Sequence, residues 1–172
     1  MKISRCIIIL LLAGALFTAC KKIDMVYEDD FHQSLRTWLN FKATSGDSYR
    51  YTVSTGSWSG SATQMAVTVQ SGKITHRSYV IKTPQQNSNV LVIREQWEED
   101  ESTLNTHVNG GTSLTLDEIY EKARTEWLLK RKDATSYFEA KNDGIISSCG
   151  YVNNNCADDC FVGITINLIE KL

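Results

Sequence analysis

Short segments in which apolar and polar side chains alternate recur along most of this chain. In segments 49–53 and 65–69 every second residue is Tyr, Val or Met. This two-residue period places alternate side chains on opposite faces and predicts strands with one buried face. Ser71-Gly72 and Asn142-Asp143-Gly144 are turn sequences that join consecutive segments of this kind. Because strands joined by short turns run antiparallel, the pattern predicts a mainly antiparallel sheet of about seven strands.

Two segments have the longer period of a helix. In residues 30–42 the apolar side chains fall on one helical face, and Asp30 with Gln33 forms a plausible capping pair. In residues 116–131 Thr115 and Glu118 form a capping box. The predicted order is one helix, four strands, a second helix and three strands, which indicates an α+β fold with both helices on one face of the sheet. The two halves are similar enough to suggest a duplicated helix-plus-meander unit sharing one sheet, and a chance similarity is the alternative.

The N-terminal segment indicates the compartment. Lys2 and Arg5 precede an apolar stretch over residues 7–17, which is shorter than the roughly 20 residues of a membrane-spanning helix. The segment Leu16-Phe17-Thr18-Ala19-Cys20 resembles the lipobox of bacterial lipoproteins. That resemblance implies cleavage before Cys20 and lipidation of its thiol, whereas an ordinary signal peptide with an incidental cysteine is the alternative. The expected organisation is a signal peptide at 1–19, a tether at 20–29 and a single α+β domain at 30–172.

This N-terminus predicts a protein of the bacterial cell envelope, anchored by lipid to the outer membrane on either its periplasmic side or the cell surface. The membrane is therefore the first expected partner. The formal net charge of −2 lacks the basic excess of a general nucleic-acid binder, so we expect no nucleic-acid partner. The oligomeric state stays open.

Three cysteines lie close together near the C-terminus, and an oxidising compartment permits a disulfide between two of them. We expect Cys156 to pair with Cys160 and Cys149 to be a buried thiol, with Cys149–Cys160 as the main alternative. The spacing Cys-x3-Cys beside Asp158 and Asp159 offers donors for a zinc or calcium ion. Structural zinc requires four ligands and calcium a different loop spacing, so no metal or other cofactor is predicted.

Residues typical of catalysis do not form a known pattern. The histidines at 32, 76 and 107 show no metal-binding or nucleophile-activating spacing, and the segment Gly56–Gly60 lacks the context of a nucleophile elbow. We therefore predict no catalytic residues and a protein that is not an enzyme. Trp58 and Trp97 lie outside the helical core stripes, so they are the candidate ligand-binding residues, since exposed aromatics stack on sugars or anchor partner proteins. The acidic run 98–101 is expected to be a solvated strand end, or else a docking surface for a basic partner.

A series of short motifs, taken in order, resembles a family of small secreted or lipid-anchored bacterial proteins known only as a domain of unknown function. The motifs are Trp38, Tyr49-Arg50-Tyr51, the segment 67–74, the segment 116–120, the segment 137–144 and Asp158-Asp159-Cys160-Phe161. The resemblance implies a secreted α+β module and no activity. The sequence thus predicts a lipid-anchored, non-catalytic binding or interaction module with a protein or glycan partner. An envelope hydrolase or an enzyme inhibitor is the alternative.

Overall fold

The computed structural model describes residues 24–57, 59–86, 88, 90–157 and 160–172. Seven antiparallel strands form one sheet in the order β4-β3-β2-β1-β7-β6-β5. Together with two helices this arrangement confirms the α+β class. The elements, in chain order, are α1 (Glu28–Ser45), β1 (Tyr49–Gly56), β2 (Ala62–Gln70), β3 (Lys73–Pro84), β4 (Leu91–Asp100), α2 (Leu116–Lys122), β5 (Ala134–Glu139), β6 (Ser148–Asn153) and β7 (Phe161–Lys171).

Helix α1 begins two residues earlier than the sequence predicts. Tyr27 is its N-cap, and no side chain caps the first turn, so the predicted capping pair of Asp30 and Gln33 is wrong. The first turn instead carries three acidic residues, which the positive end of the helix dipole stabilises. The helix ends at Gly46, which adopts the left-handed conformation (φ 61°) that glycine accepts most easily.

Helix α2 begins as predicted but is shorter. The Thr115 side chain accepts a hydrogen bond from the Glu118 N–H, and the Glu118 carboxylate accepts one from the Thr115 N–H, which confirms the capping box. After Lys122 the helix continues as one turn of π-helix (Ala123–Trp127). Arg131 then donates hydrogen bonds to the carbonyls of Glu126, Trp127 and Leu129, and so satisfies acceptors that the helix end leaves open.

Both helices pack on one face of the sheet, which we call the inner face. Their apolar stripes and the inward-facing residues of β1, β2, β6 and β7 form one core. Hydrogen bonds also connect the two helices, among them Ser34 Oγ with the Tyr120 hydroxyl at 2.6 Å and Trp38 Nε1 to the Asp117 carboxylate at 2.8 Å. The core's fully buried hydrophobic residues include Trp38, Tyr49, Val67, Val69, Leu116, Ile119, Ala123, Leu128, Ile146 and Cys149.

The turns explain most of the strand order. Ser71 and Gly72 both have positive φ and form the tight hairpin between β2 and β3 that their sequence predicts.

A register shift at Thr52/Val53 interrupts the pairing of β1 with β7. Simple alternation would bury Leu168 together with Ile166, but the shift leaves Leu168 half exposed. The two halves each consist of a helix followed by a meander, and they share the sheet through β1 and β7. The first strand of the first half, β1, is central in the sheet, whereas the first strand of the second half, β5, lies at its edge.

Residues 24–27, expected to be tether, are attached to the folded body. Met25 forms a bridge with Leu129, Val26 donates to the Leu128 carbonyl, and Lys130 donates to the Asp24 carbonyl. The predicted signal peptide and Cys20 lie outside the described residues. Within the described ranges, no helix has both the length and the apolar composition to cross a membrane.

Candidate binding face

The face of the sheet opposite the helices, which we call the outer face, carries no helix. On its β1–β4 side there is a cavity of about 400 Å³, which we call the polar cavity. Strand alternation places mainly hydroxyl, amide and charged side chains around it, together with apolar side chains such as Val80 and Ile93. Its lining consists of Arg50, Thr52, Gln64, Ala66, Ser78, Tyr79, Val80, Lys82, Ile93, Gln96, Trp97, Glu98 and Glu170.

Charged groups of both signs surround this cavity. The Arg50 guanidinium donates to Thr68 Oγ1 at 3.3 Å and lies 3.6 Å from the Glu170 carboxylate. On another side of the cavity, His76 Nε2 lies 3.9 Å from the carboxylate of Glu98. The His76 Nδ1 atom lies 3.0 Å from the Glu99 carbonyl, and since a carbonyl oxygen only accepts, this nitrogen carries the proton. The cavity therefore presents donors and acceptors in a fixed arrangement.

A second concave region lies at the β5 edge. This groove of about 500 Å³, which we call the aromatic groove, is lined by Tyr27, Tyr137, Phe138, Glu139, Ser148, Val152, Phe161 and Thr165. Gly150 pairs with Tyr137 on one side and with Gly163 on the other. A Cβ atom at Gly150 would lie 2.6 Å from Phe161 Cζ, so the glycine is what allows the Phe161 ring to lie over the strand.

The aromatic groove contains all the exposed aromatic rings of the described part of the chain. Tyr27 is 43% exposed, Tyr137 45% and Phe161 40%, and the other described Phe, Tyr and Trp side chains are buried or partly buried. None of these three residues was predicted from the sequence to bind a ligand. The available signal was the alternation in β5, where the inward position of Phe138 places Tyr137 outward.

Trp97 is not the exposed aromatic that the sequence predicts. Its side chain is only 8% exposed and lies on the inner face, stacked between Tyr79 (ring centroids 5.2 Å apart) and His107 (4.5 Å). Gly110, with φ of 90°, packs against the same rings, and a Cβ there would lie 3.4 Å from Trp97. Segment 101–115 folds back over this tryptophan, so Trp97 does not offer the exposed aromatic surface expected of a ligand-binding residue. Trp58 lies outside the described residues, and its role stays a prediction.

Beside Trp97 lies a fully buried ion pair, Arg77 with Glu99. The Arg77 Nε atom is 2.8 Å from Glu99 Oε2, and both side chains are inaccessible to solvent. The Glu99 carboxylate also accepts hydrogen bonds from the N–H groups of Asn105 (2.8 Å) and His107 (2.7 Å). Arg77 in turn donates to the carbonyls of His107 and Gly111. The pair thus fixes segment 101–115 beneath β3 and β4, and Glu99 is not part of a solvated acidic run.

The hydrogen bonds from Arg77 hold the pKa of the Glu99 carboxyl well below its usual range, opposed in part by burial and supported by the His107 and Asn105 N–H groups. The His107 Nδ1 atom lies 2.9 Å from Glu99 Oε1. The structure therefore brings a histidine and a carboxylate together, which sequence spacing alone did not show. Within the described ranges, no serine, threonine or cysteine side chain is hydrogen-bonded to His107.

Cys156 and Cys160 form the predicted disulfide, with their Cα atoms 6.1 Å apart. Cys149 is the buried, unpaired thiol that was expected, and burial raises its pKa to about 12, so it stays protonated and unreactive at neutral pH. Among the described residues, no three His, Cys, Asp or Glu side chains are grouped to hold a metal ion. Asp158 and Asp159 lie outside those residues.

No family model matches the chain, and neither a curated protein nor a solved structure matches it. The resemblance to a lipoprotein family of unknown function therefore stays a prediction.

Proposed function

We propose that this chain is a lipid-anchored protein of the bacterial cell envelope that binds a polar ligand, part of a protein or a glycan, without catalysis. The single observation that carries the binding role is the polar cavity on the outer face of the sheet. The anchoring role is carried by the sequence, in which the lipobox-like segment ends at Cys20.

The polar cavity favours a ligand held by hydrogen bonds. Its walls are side chains of adjacent strands, so their positions are fixed by the sheet and little order is lost when a ligand binds. Hydroxyl and amide groups, together with arginine, lysine and glutamate, can pair with both donors and acceptors of a ligand. A ligand that combines polar groups with some apolar surface therefore fits this site.

A matched pair of tryptophan substitutions tests the binding role. Ala66→Trp fills the cavity from a strand position within it, and Ala43→Trp places the same ring on the exposed side of α1. Partners are captured in intact cells with a photo-crosslinker placed at Gln64 and are identified by mass spectrometry. We expect Ala66→Trp to abolish capture of the partner and Ala43→Trp to leave it unchanged. Equal capture by both variants would contradict a ligand in the polar cavity. If the captured partner is an enzyme, inhibition is measured directly.

Mass spectrometry of the mature protein tests the anchoring role. We expect a chain that begins at Cys20 and carries acyl groups, because several acyl chains are needed for stable membrane attachment. The Cys20→Ala variant should lose the acyl mass. An unmodified N-terminus, or a mature chain that still carries residues 1–19, would overturn the anchoring proposal.

The pairing of His107 with Glu99 supports a second candidate, an envelope hydrolase. A carboxylate that orients an imidazole is one component of a general base, although here the same carboxylate also fixes a backbone segment. A hydrolytic activity lost in His107→Ala and retained in His32→Ala, which changes an exposed histidine of α1, would favour this candidate.

A further inference from the structure

We propose that the aromatic groove rests on the surface of the bilayer that carries the lipid anchor. This inference depends on the anchoring part of the proposed function. The occupant of the groove is thus the lipid surface, and the β5 end of the sheet is turned towards the membrane.

The composition of the groove fits the interface between lipid headgroups and hydrocarbon. Tyrosine and phenylalanine rings that are half exposed present apolar area to the solvent, and tyrosine also has a polar end that stays hydrated. Tyr27, Tyr137 and Phe161 are the three such rings of the described chain, and they line one groove. Three separate surface rings would need no explanation, whereas their collection at one edge of the sheet indicates a contact surface.

The length of chain before the folded body provides the second argument. Because Asp24 and Met25 are already bonded to the segment that follows α2, only residues 21–23 separate the body from Cys20. An extended chain advances at most about 3.6 Å per residue, so Cys20 lies within roughly 14 Å of Asp24 and roughly 25 Å of Tyr27. The anchor therefore holds the aromatic groove close to the lipid headgroups.

The order of the strands separates the two regions. The aromatic groove lies on β5 to β7, and the polar cavity lies mainly on β1 to β4. Since neighbouring strands are about 4.8 Å apart, the three steps from β6 to β2 place the two centres roughly 14 Å from each other. The polar cavity is thus displaced from the groove towards the β4 edge of the sheet.

Charges near the groove indicate that the contact is apolar. Glu139 lines the groove and pairs with Lys141 at 2.8 Å, and Asp29 is exposed two residues after Tyr27. With both signs present, attraction to anionic lipid is not expected to control the contact. Zwitterionic vesicles should therefore be sufficient.

Hydroxyl-radical footprinting of the acylated mature protein in phosphatidylcholine vesicles tests the orientation. The reference is the same mature chain with Cys20→Ser, exported behind an ordinary cleavable signal peptide, with vesicles present. We expect oxidation of Tyr27, Tyr137 and Phe161 to fall severalfold in the anchored protein. Oxidation of Leu39 and Leu91, which are 50% and 45% exposed elsewhere on the molecule, should stay unchanged.

Each outcome of this experiment supports or overturns the orientation. Equal oxidation of the three rings in both proteins would overturn it while leaving the anchor in place, whereas an unacylated Cys20 would overturn the proposed function itself. Protection that requires phosphatidylglycerol in the vesicles would contradict an apolar contact. If cellohexaose protects the rings of the unanchored chain, the groove binds a glycan instead. If the rings are protected by dimer formation without lipid, the groove binds a second copy of the chain instead.

A second variant sharpens the result. Phe161→Ser removes one ring, and Leu39→Ser removes an exposed apolar side chain of α1 as the control. We expect protection of Tyr137 to decrease severalfold in Phe161→Ser and to persist in Leu39→Ser, with both proteins still acylated. Unchanged protection of Tyr137 in Phe161→Ser would contradict a contact made by the groove.

Discussion

The inner face of the sheet is covered in two different ways. Beneath β1, β2 and β5 to β7, the helices supply apolar side chains and form a continuous core. Beneath β3 and β4, segment 101–115 provides the cover, and a buried ion pair, Arg77 with Glu99, holds it in place. A helix satisfies its own backbone groups and can be attached by packing alone, whereas an irregular segment needs side chains to satisfy its N–H and carbonyl groups. The difference explains why charged residues are buried in one region and not in the other.

The largest expected effect comes from removing the arginine of the ion pair. Arg77→Leu leaves the Glu99 charge buried without its partner, and we expect a loss of about 3–5 kcal/mol in the free energy of unfolding. Arg50→Leu is the control, since Arg50 pairs with Glu170 at the surface and should contribute less than about 1 kcal/mol. Urea denaturation measures both. The double variant Arg77→Leu/Glu99→Gln should recover part of the loss, because no unpaired charge is then buried. Equal losses for Arg77→Leu and Arg50→Leu would contradict the role of the buried ion pair in holding segment 101–115.

Two buried tryptophans, one in each region, differ in their hydrogen bonding. Trp38, on α1, donates to Asp117, whereas Trp97 Nε1 is buried without a hydrogen-bond partner among the described residues. Both changes to phenylalanine remove buried ring volume, and we expect Trp38→Phe to cost about 1.5–3 kcal/mol more than Trp97→Phe, because only Trp38 also loses a hydrogen bond to a charged group. Thermal unfolding of the two variants checks the difference. A larger loss for Trp97→Phe would contradict the hydrogen-bond argument.

The turn before β7 is closed by the Cys156–Cys160 disulfide. Because the closed loop is short, Cys156→Ser should lower the free energy of unfolding by about 2 kcal/mol. Asn155→Ser, an exposed change in the same turn, is the control and should have almost no effect. Reduction of the wild-type protein should reproduce the loss, and an unchanged melting temperature under reducing conditions would contradict it.

The last prediction concerns a slope rather than a loss at neutral pH, because the ion pair makes the free energy of unfolding depend on pH. The pKa of Glu99 is lowered in the folded protein, so its contribution is complete above the ordinary carboxyl pKa of about 4.3 and is lost as the pH falls below it. Glu99→Gln should therefore show a shallower fall in the free energy of unfolding below about pH 5 than the wild type. Glu101→Gln, at an exposed position nearby, should retain the wild-type slope. Equal slopes for all three proteins would contradict a charged Glu99.

Features set by neighbouring residues were predicted from the sequence. The capping box of α2, the Ser71-Gly72 turn, the antiparallel order and the disulfide each depend on a few residues close together in the chain. The start of α1 was not predicted, because Tyr27 caps it without a side-chain hydrogen bond and so leaves no recognisable pattern.

Features that require distant residues were predicted less well. Trp97 is buried by His107 and Gly110, and only the folded path of segment 101–115 brings them together. The two-residue period places Glu99 on the same face as Trp97, but it does not reveal that Arg77 of the preceding strand faces it. The aromatic groove likewise depends on the pairing of β5, β6 and β7 and on the attachment of residues 24–27.

The central position of β7 has a consequence for how the molecule forms. Strand β1 is made early in synthesis, yet its partner on one side is residues 161–171. The pairing of β1 with β7 joins residues that are far apart in the chain, and the entropy of closing this long loop is lost before the contacts form. Folds with many such long-range contacts form slowly. During synthesis, β1 through β4 emerge with one side of β1 unpaired, and the polar cavity, which includes Glu170, is complete only once the last strand has inserted between β1 and β6.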